Sequence, residues 1–260
     1  MTSQRCRTML AAGQERFGMS FRGKVAVVTG AAGGVGSVIV ESLRAEGAVV
    51  LAADLIAPEG DQNHSLVVDV TQSASCESLI DTVMDRFGRL DILVNNAGVI
   101  HVGEAVDTSD TQWRHVLSVN LDGAFYMSRA AIPHLIETRG VIVNIGSDFS
   151  FVGGDSLVAY CASKGGMLQM TKAMALDHAA QGVRINIVCP TVIDTPMVDE
   201  LARQLGNTPG DQRRIYDATV PDGRMISPDE VSDAVLYLAG DRARHVTGTS
   251  LVIDGGVTAR

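Results

Sequence analysis

Between residues 24 and 54 the chain lays out a strand, a glycine turn, a helix, a second strand and an acid, and few folds accept that order. Residues 24–29 read Lys-Val-Ala-Val-Val-Thr, a short apolar, β-branched run suited to a buried parallel strand. It runs into Gly30-Ala31-Ala32-Gly33-Gly34-Val35-Gly36. A helical stretch is predicted over residues 37–45, closed by Gly47, and a second apolar run over residues 48–53 ends on Asp54. This is the layout of a dinucleotide site. Gly30 permits the tight turn, and Gly34 and Gly36 remove side chains where backbone meets pyrophosphate and where helix packs on strand. The helix N-terminus offers free N–H groups to the phosphates. Asp54 lies 24 residues after Gly30. A carboxylate at that strand end accepts hydrogen bonds from both adenosine ribose hydroxyls and repels a 2′-phosphate, so NAD is predicted over NADP. No Arg or Lys in the glycine loop offsets that repulsion.

A second constellation lies downstream. Tyr160 and Lys164 are four residues apart, on one face of a helix, and Ser147 precedes them. A lysine cation beside a phenol favours phenolate and lowers its pKa. A tyrosine tuned in this way exchanges a proton with an alcohol or ketone oxygen, which the Ser147 hydroxyl can hold.

With the spacing Thr29-Gly30-x-x-x-Gly34-x-Gly36, the run Asn95-Asn96-Ala97-Gly98, Ser147 and Tyr160-x-x-x-Lys164, the chain resembles the short-chain dehydrogenase/reductase family in its compact single-domain branch. The likeness spans about residues 21–257. It implies a Rossmann-type, doubly wound parallel sheet in a three-layer α/β/α domain, and reversible oxidation of a secondary alcohol to a ketone with NAD. By the same resemblance Tyr160 is the general acid/base, Lys164 holds the nicotinamide ribose, and Ser147 positions the substrate oxygen. Asn120 supports a proton relay to the lysine. Asp69 and Val70 contact adenine, and Asn96, Ala97 and Gly98 lie beside the adenosine ribose. Thr195 bonds the nicotinamide carboxamide, with Ile193 supplying backbone contact. Val35 and Pro190 complete the cofactor set. Two positions depart from the family pattern: Thr191 stands where a glycine is frequent, and Asp148 follows the serine where small residues are common. Asp148 is expected to point to solvent, while His101 and Asp148 remain options for a polar substrate group.

Bulk properties narrow the partners. A chain of 260 residues with 46% apolar content supports one α/β domain with helices on both sheet faces. The net charge of −9 and the lack of a basic stripe disfavour nucleic acid, and no apolar run reaches membrane-spanning length. Residues 1–20 read as a flexible N-terminal extension without a secretion signal, with Met19 an alternative start. Residues 21–260 form the single domain. Cys6, Cys76, Cys161 and Cys189 fit free thiols in a reducing cytoplasm, and neither they nor the six histidines show metal-ligand spacing, so no metal is predicted.

The segment at about residues 196–225 is the least regular and, by family likeness, forms a substrate lid. Ser227-Pro228-Asp229-Glu230 starts a helix to about Ala239, residues 249–253 form a last strand, and the tail is expected to pack in a homotetramer. A 3-oxoacyl-thioester reductase of the same family is the nearest rival; such enzymes usually carry a basic residue in the glycine loop, where this chain has Gly33. Carbohydrate, polyol, steroid and dihydrodiol dehydrogenases fit equally. A non-catalytic NAD-binding regulator usually lacks the tyrosine or the lysine, and epimerases and dehydratases of the wider family are longer.

Overall fold

The computed structural model describes residues 20–57 and 64–259. The extension expected over residues 1–20 therefore lies, apart from Ser20, outside the described residues. Seven parallel strands form one sheet: β1 (Val25–Thr29), β2 (Val49–Asp54), β3 (Ser65–Val67), β4 (Ile92–Asn95), β5 (Val141–Ile145), β6 (Arg184–Pro190) and β7 (Ser250–Ile253). Their spatial order is β3-β2-β1-β4-β5-β6-β7. The chain walks outward from β1 to β3, then returns to lay β4 against the other side of β1. That reversal opens a crevice at the carboxyl ends of β1 and β4, where ligands bind in such sheets.

The sheet is doubly wound because its central strands are apolar on both faces. In β1, Ala26 and Val28 join one core and Val25 and Val27 the other, as strand alternation requires. The first core takes Ile39 and Leu43 of α1 (Gly34–Ala45) and Val231 and Val235 of α8 (Pro228–Ala239). The second takes Leu79 and Val83 of α2 (Ser73–Phe87), Met127 and Leu135 of α4 (Gly123–Thr138) and Met174 of α5 (Val158–His178). The fold class is as the sequence implies.

Helix α1 begins at Gly34, three residues before the predicted start, so the glycine loop is itself the helix's first turn. Helix α3 (Asp110–Leu117) passes into α4 through a π turn, Ser118–Asp122, that carries Asn120. Wide turns of this kind interrupt helices mostly where a side chain must be re-aimed.

The segment read as irregular is two helices, α6 (Pro196–Leu205) and α7 (Pro209–Thr219). Each has a threonine at the N-cap and a proline at the first helical position, which pre-sets the backbone. The Thr208 hydroxyl accepts the Asp211 N–H, and Gly206, at φ +74°, ends α6. Helix α8 carries the expected capping box between Ser227 and Glu230. Among the described residues no helix is long and apolar enough to cross a membrane.

Candidate active site

A cleft of about 740 Å³ opens over the carboxyl ends of the strands. Of the catalytic and cofactor-binding residues predicted from the sequence, all but Gly36 and Asn120 line it.

The glycine loop is locked to β4 from below. The Thr29 hydroxyl donates to the Val94 carbonyl and accepts the N–H groups of Asn96 and Ala97. Asn96 Nδ2 donates to the carbonyls of Thr29 and Gly30 at 3.0 and 2.9 Å. These bonds bring the loop so close to Ala97 that a Cβ on Gly30 would lie 2.7 Å from the Ala97 Cα, and Gly30 has φ +65°. Gly36 serves this packing rather than the cleft wall.

Asp54 ends β2 at the cleft rim. Oδ2 accepts the Ala32 N–H at 2.9 Å and Oδ1 the Leu55 N–H at 2.7 Å. A carboxylate has about four lone-pair sites, so two stay open toward the cleft. The donor set therefore fits a dinucleotide: a glycine-rich turn at a helix N-terminus and a half-used carboxylate beside it. Asp69 is more local than expected. Its Oδ1 accepts both the N–H and the hydroxyl of Thr71, a turn that feeds α2, while the neighbouring Val70 packs against Gly123. At the far wall Thr195 stands at the N-cap position of α6, its hydroxyl turned to the Ile193 carbonyl, and its methyl lies 3.7 Å from a Cβ built on Gly34.

Ser147, at the end of β5, and Tyr160 and Lys164, on successive turns of α5, meet at the cleft floor. Lys164 is buried; its Nζ donates to the Ile145 carbonyl at 2.7 Å and sits 5.6 Å from the Tyr160 ring centroid. Burial pulls the Lys164 ammonium down to about 8. The expected lowering of Tyr160 by Lys164 is not what this arrangement gives. Burial pushes the phenol well above its ordinary value, a Ser147 hydrogen bond opposes this, and the Asp148 charge adds to the rise. Lys164 directs its amine at a carbonyl and faces the ring, not the hydroxyl.

Asn120 is fully buried behind the floor. Its Oδ1 accepts the Val99 N–H at 2.8 Å, and its Nδ2 donates to the Val99 carbonyl and the Ser163 hydroxyl. The side chain thus ties the end of the β4 segment to α5.

Asp148 is the clear correction. Predicted to face solvent, it is 3% exposed. Its Oδ1 accepts the Ser147 hydroxyl at 2.7 Å and the Phe149 N–H at 2.8 Å. Burial raises its carboxyl above the usual range, hydrogen bonds from Ser147, Thr191 and the Phe149 N–H lower it, and Asp254 raises it further. Thr191, the other departure from the family pattern, is the buried donor that partners it. Cys189 beside them is pushed up to about 11, chiefly by burial, and stays a thiol at neutral pH.

Among the wall residues that sequence reasoning missed are the polar Asp155 and Tyr216. Tyr216 comes from α7, and the Thr208-Pro209-x-Asp211 start of that helix was a readable signal. His101 lies apart from this lining, whereas His115 of α3 joins it. Among the described residues no group of three or more His, Cys, Asp or Glu side chains is arranged to hold a metal.

Comparison with known proteins follows the same lines. Residues 30–258 match a family model described as Enoyl-(Acyl carrier protein) reductase. The chain is 38% identical to meso-2,3-butanediol dehydrogenase of Serratia marcescens, over 93% of this chain and 97% of that protein. It is 39% identical to D-threitol dehydrogenase of Mycolicibacterium smegmatis, over 94% and 96%. It is 35% identical to the 3-oxoacyl-[acyl-carrier-protein] reductase of Escherichia coli, over 92% and 99%. The solved aldohexose dehydrogenase of Thermoplasma acidophilum, in ligand-free form, superposes with a TM-score of 0.89 at 35% identity, over 94% of this chain and 97% of that one.

Proposed function

The chain belongs to the short-chain dehydrogenase/reductase family and is an oxidoreductase of CH–OH groups; from that premise we propose an NAD-preferring dehydrogenase of small secondary alcohols, vicinal diols first. The observation that carries this reading is the convergence of Ser147, Tyr160 and Lys164 on the cleft that the glycine loop and Asp54 open.

The cofactor half falls to residues already described. The N-terminus of α1 holds the pyrophosphate, and the two open lone-pair sites of Asp54 take the ribose hydroxyls. Asp69, Val70, Asn96, Ala97 and Gly98 border the adenosine end, and Pro190, Ile193 and Thr195 the nicotinamide end. NAD, when bound, supplies the carbon that accepts hydride.

In the catalytic half, Tyr160 takes the hydroxyl proton of the alcohol as general base. Ser147 and Tyr160 flank the substrate oxygen, and Tyr160, once it has taken the proton, is the donor to that oxygen as charge develops on it. The Lys164 ammonium, anchored on the Ile145 carbonyl, lies over the Tyr160 ring and lines the same floor, where it would hold the nicotinamide ribose. Asn120 acts behind them by holding Val99 and Ser163. The high intrinsic pKa of Tyr160 implies alcohol oxidation that speeds up as pH rises.

Diols are favoured because two of the similar proteins are named for vicinal diol or polyol substrates, and because Asp155 and Tyr216 add polar groups to the wall. The thioester-reductase reading keeps some support from a 35%-identical relative. Against it, Gly33 gives the loop no basic group, although a side chain there would meet nothing within 4 Å. The three described cysteines are free; we read the protein as a cytoplasmic homotetramer, which sedimentation of the purified enzyme tests.

The deciding assay follows NADH formation from NAD with meso-2,3-butanediol, D-threitol, aldohexoses and 3-hydroxyacyl thioesters, repeated with NADP. Turnover of a diol with NAD supports the reading. Turnover confined to thioesters with NADP overturns it.

A further inference from the structure

Ser147 has one hydroxyl proton, and Asp148 takes it. Oγ donates to Asp148 Oδ1 at 2.7 Å inside the protein wall. The same Oδ1 accepts the Phe149 N–H, and Thr191 donates to the carboxyl as well, so Asp148 is held on several sides. Its neighbour Ser147 is 6% exposed, opening onto the cleft floor.

An ionised carboxylate accepts hydrogen bonds and donates none, whereas a hydroxyl has one donor and two lone pairs. With its proton committed to Asp148 and one lone pair shared with the Phe149 N–H at 3.3 Å, Ser147 can offer the cleft only its remaining lone pair. An alcohol, which donates, finds an acceptor there. A ketone oxygen, which only accepts, does not. We propose that Asp148 is a positioning residue that fixes the direction of the Ser147 hydroxyl and thereby biases the site toward binding alcohol over ketone. The inference rests on the catalytic reading of Ser147 and Tyr160 given above.

The same contact bears on Tyr160. A phenolate at Tyr160 also calls for the Ser147 proton, and one proton cannot serve both acceptors. The Asp148 charge is one of the causes that hold the Tyr160 phenol up. The titratable groups around Asp148 are Tyr160 of α5, Cys189 of β6 and Asp254 just after β7. Lys164 of α5 acts on Cys189 from beyond it. Asp254 disfavours the ionised form of Asp148. When Asp148 takes up a proton it becomes the donor, and Ser147 is released to donate to a ketone.

Two variants separate orientation from charge. In Asp148→Asn the amide oxygen can still accept the Ser147 proton, but the charge is gone. In Asp148→Ala both are gone. Both are compared with wild type and with Tyr160→Phe, using meso-2,3-butanediol and NAD in one direction and acetoin and NADH in the other. If that diol is inert, the most active alcohol of the panel and its ketone replace the pair. Asp148→Ala is expected to shift the ratio of ketone KM to alcohol KM by up to about tenfold in favour of the ketone, the worth of one hydrogen bond between neutral groups. Asp148→Asn is expected to keep the KM ratio near wild type while its oxidation pH profile moves to lower pH. If both variants retain the wild-type ratio and profile while Tyr160→Phe is inactive, the role of Asp148 is overturned and the catalytic reading stands. If Tyr160→Phe turns over like wild type, the catalytic reading falls and this inference falls with it.

Discussion

A methyl group built on Gly36 would lie 2.1 Å from the carbonyl oxygen of Gly30. The first turn of α1 therefore rests on the glycine loop with no room for a side chain, and the obstructing atom is backbone. Gly36→Ala is expected to destabilise the fold by about 1–3 kcal/mol, the usual cost of overpacking, and to weaken NADH binding. Thermal denaturation with and without NADH reads both. Gly33→Ala is the control, because a Cβ there meets nothing within 4 Å. It should leave stability close to wild type.

Asp54 holds the Ala32 and Leu55 N–H groups and keeps its remaining lone pairs toward the cleft. Asp54→Ala should lower kcat/KM for NAD by about 10- to 100-fold, the range for a lost hydrogen bond to a charged group. It should affect NADP much less, since the repulsion of a 2′-phosphate goes with the carboxylate. The ratio of the two specificity constants is the measurement; an unchanged ratio would remove Asp54 from cofactor choice.

Lys164 predicts a pH dependence of stability. Its folded pKa, pulled down to about 8 by burial, lies below the unfolded value. Between the two values the unfolded chain binds more protons than the folded one, so stability contributed by this residue rises with pH. Below about 8 both states are protonated, and the cost of the buried charge is carried in full. Wild type should gain on Lys164→Met as pH rises through 8 toward the unfolded value. Paired melting curves at neutral and alkaline pH test this; a gap that stays constant contradicts it.

A buried polar chain ties β4, β5 and α5 together. Asn95 Nδ2 donates to Asn144 Oδ1, Asn144 Nδ2 donates to the Thr171 hydroxyl, and Thr171 donates to the Met167 carbonyl. Thr171→Val keeps the shape and leaves the Asn144 amide short of a partner. It should cost about 1–3 kcal/mol of stability, read by urea denaturation, while turnover per folded enzyme is preserved.

The glycine loop and the Tyr160–Lys164 pair were legible in the sequence because their constraints are local. Gly30 must reach φ +65° with Ala97 pressed against it, and a helix puts residues four apart on one face. Asp148 was not legible. Ser147 is adjacent in sequence, but the groups that enclose it, Thr191 and Asp254, arrive from later strand ends. The aim of the Lys164 amine was hidden for a similar reason, since its acceptor is the carbonyl of Ile145 on β5. In the segment 196–225, glycines and mixed charge masked two Thr-Pro helix starts that local rules could have read. Asn120 turns inward on a π turn, for which its sequence carries no periodic signal.

The measurement that bears most directly on the account compares Tyr160→Phe with wild type in two assays on the same preparation: NADH binding by fluorescence titration and NAD-dependent oxidation of the best panel alcohol. Loss of the general base should reduce turnover by about 10²–10⁴-fold, with NADH affinity unchanged, since the phenylalanine keeps the ring that packs edge-on against Phe149. Turnover at the wild-type rate with NADH still bound would contradict the assignment of Tyr160, and with it the mechanism built on the cleft floor.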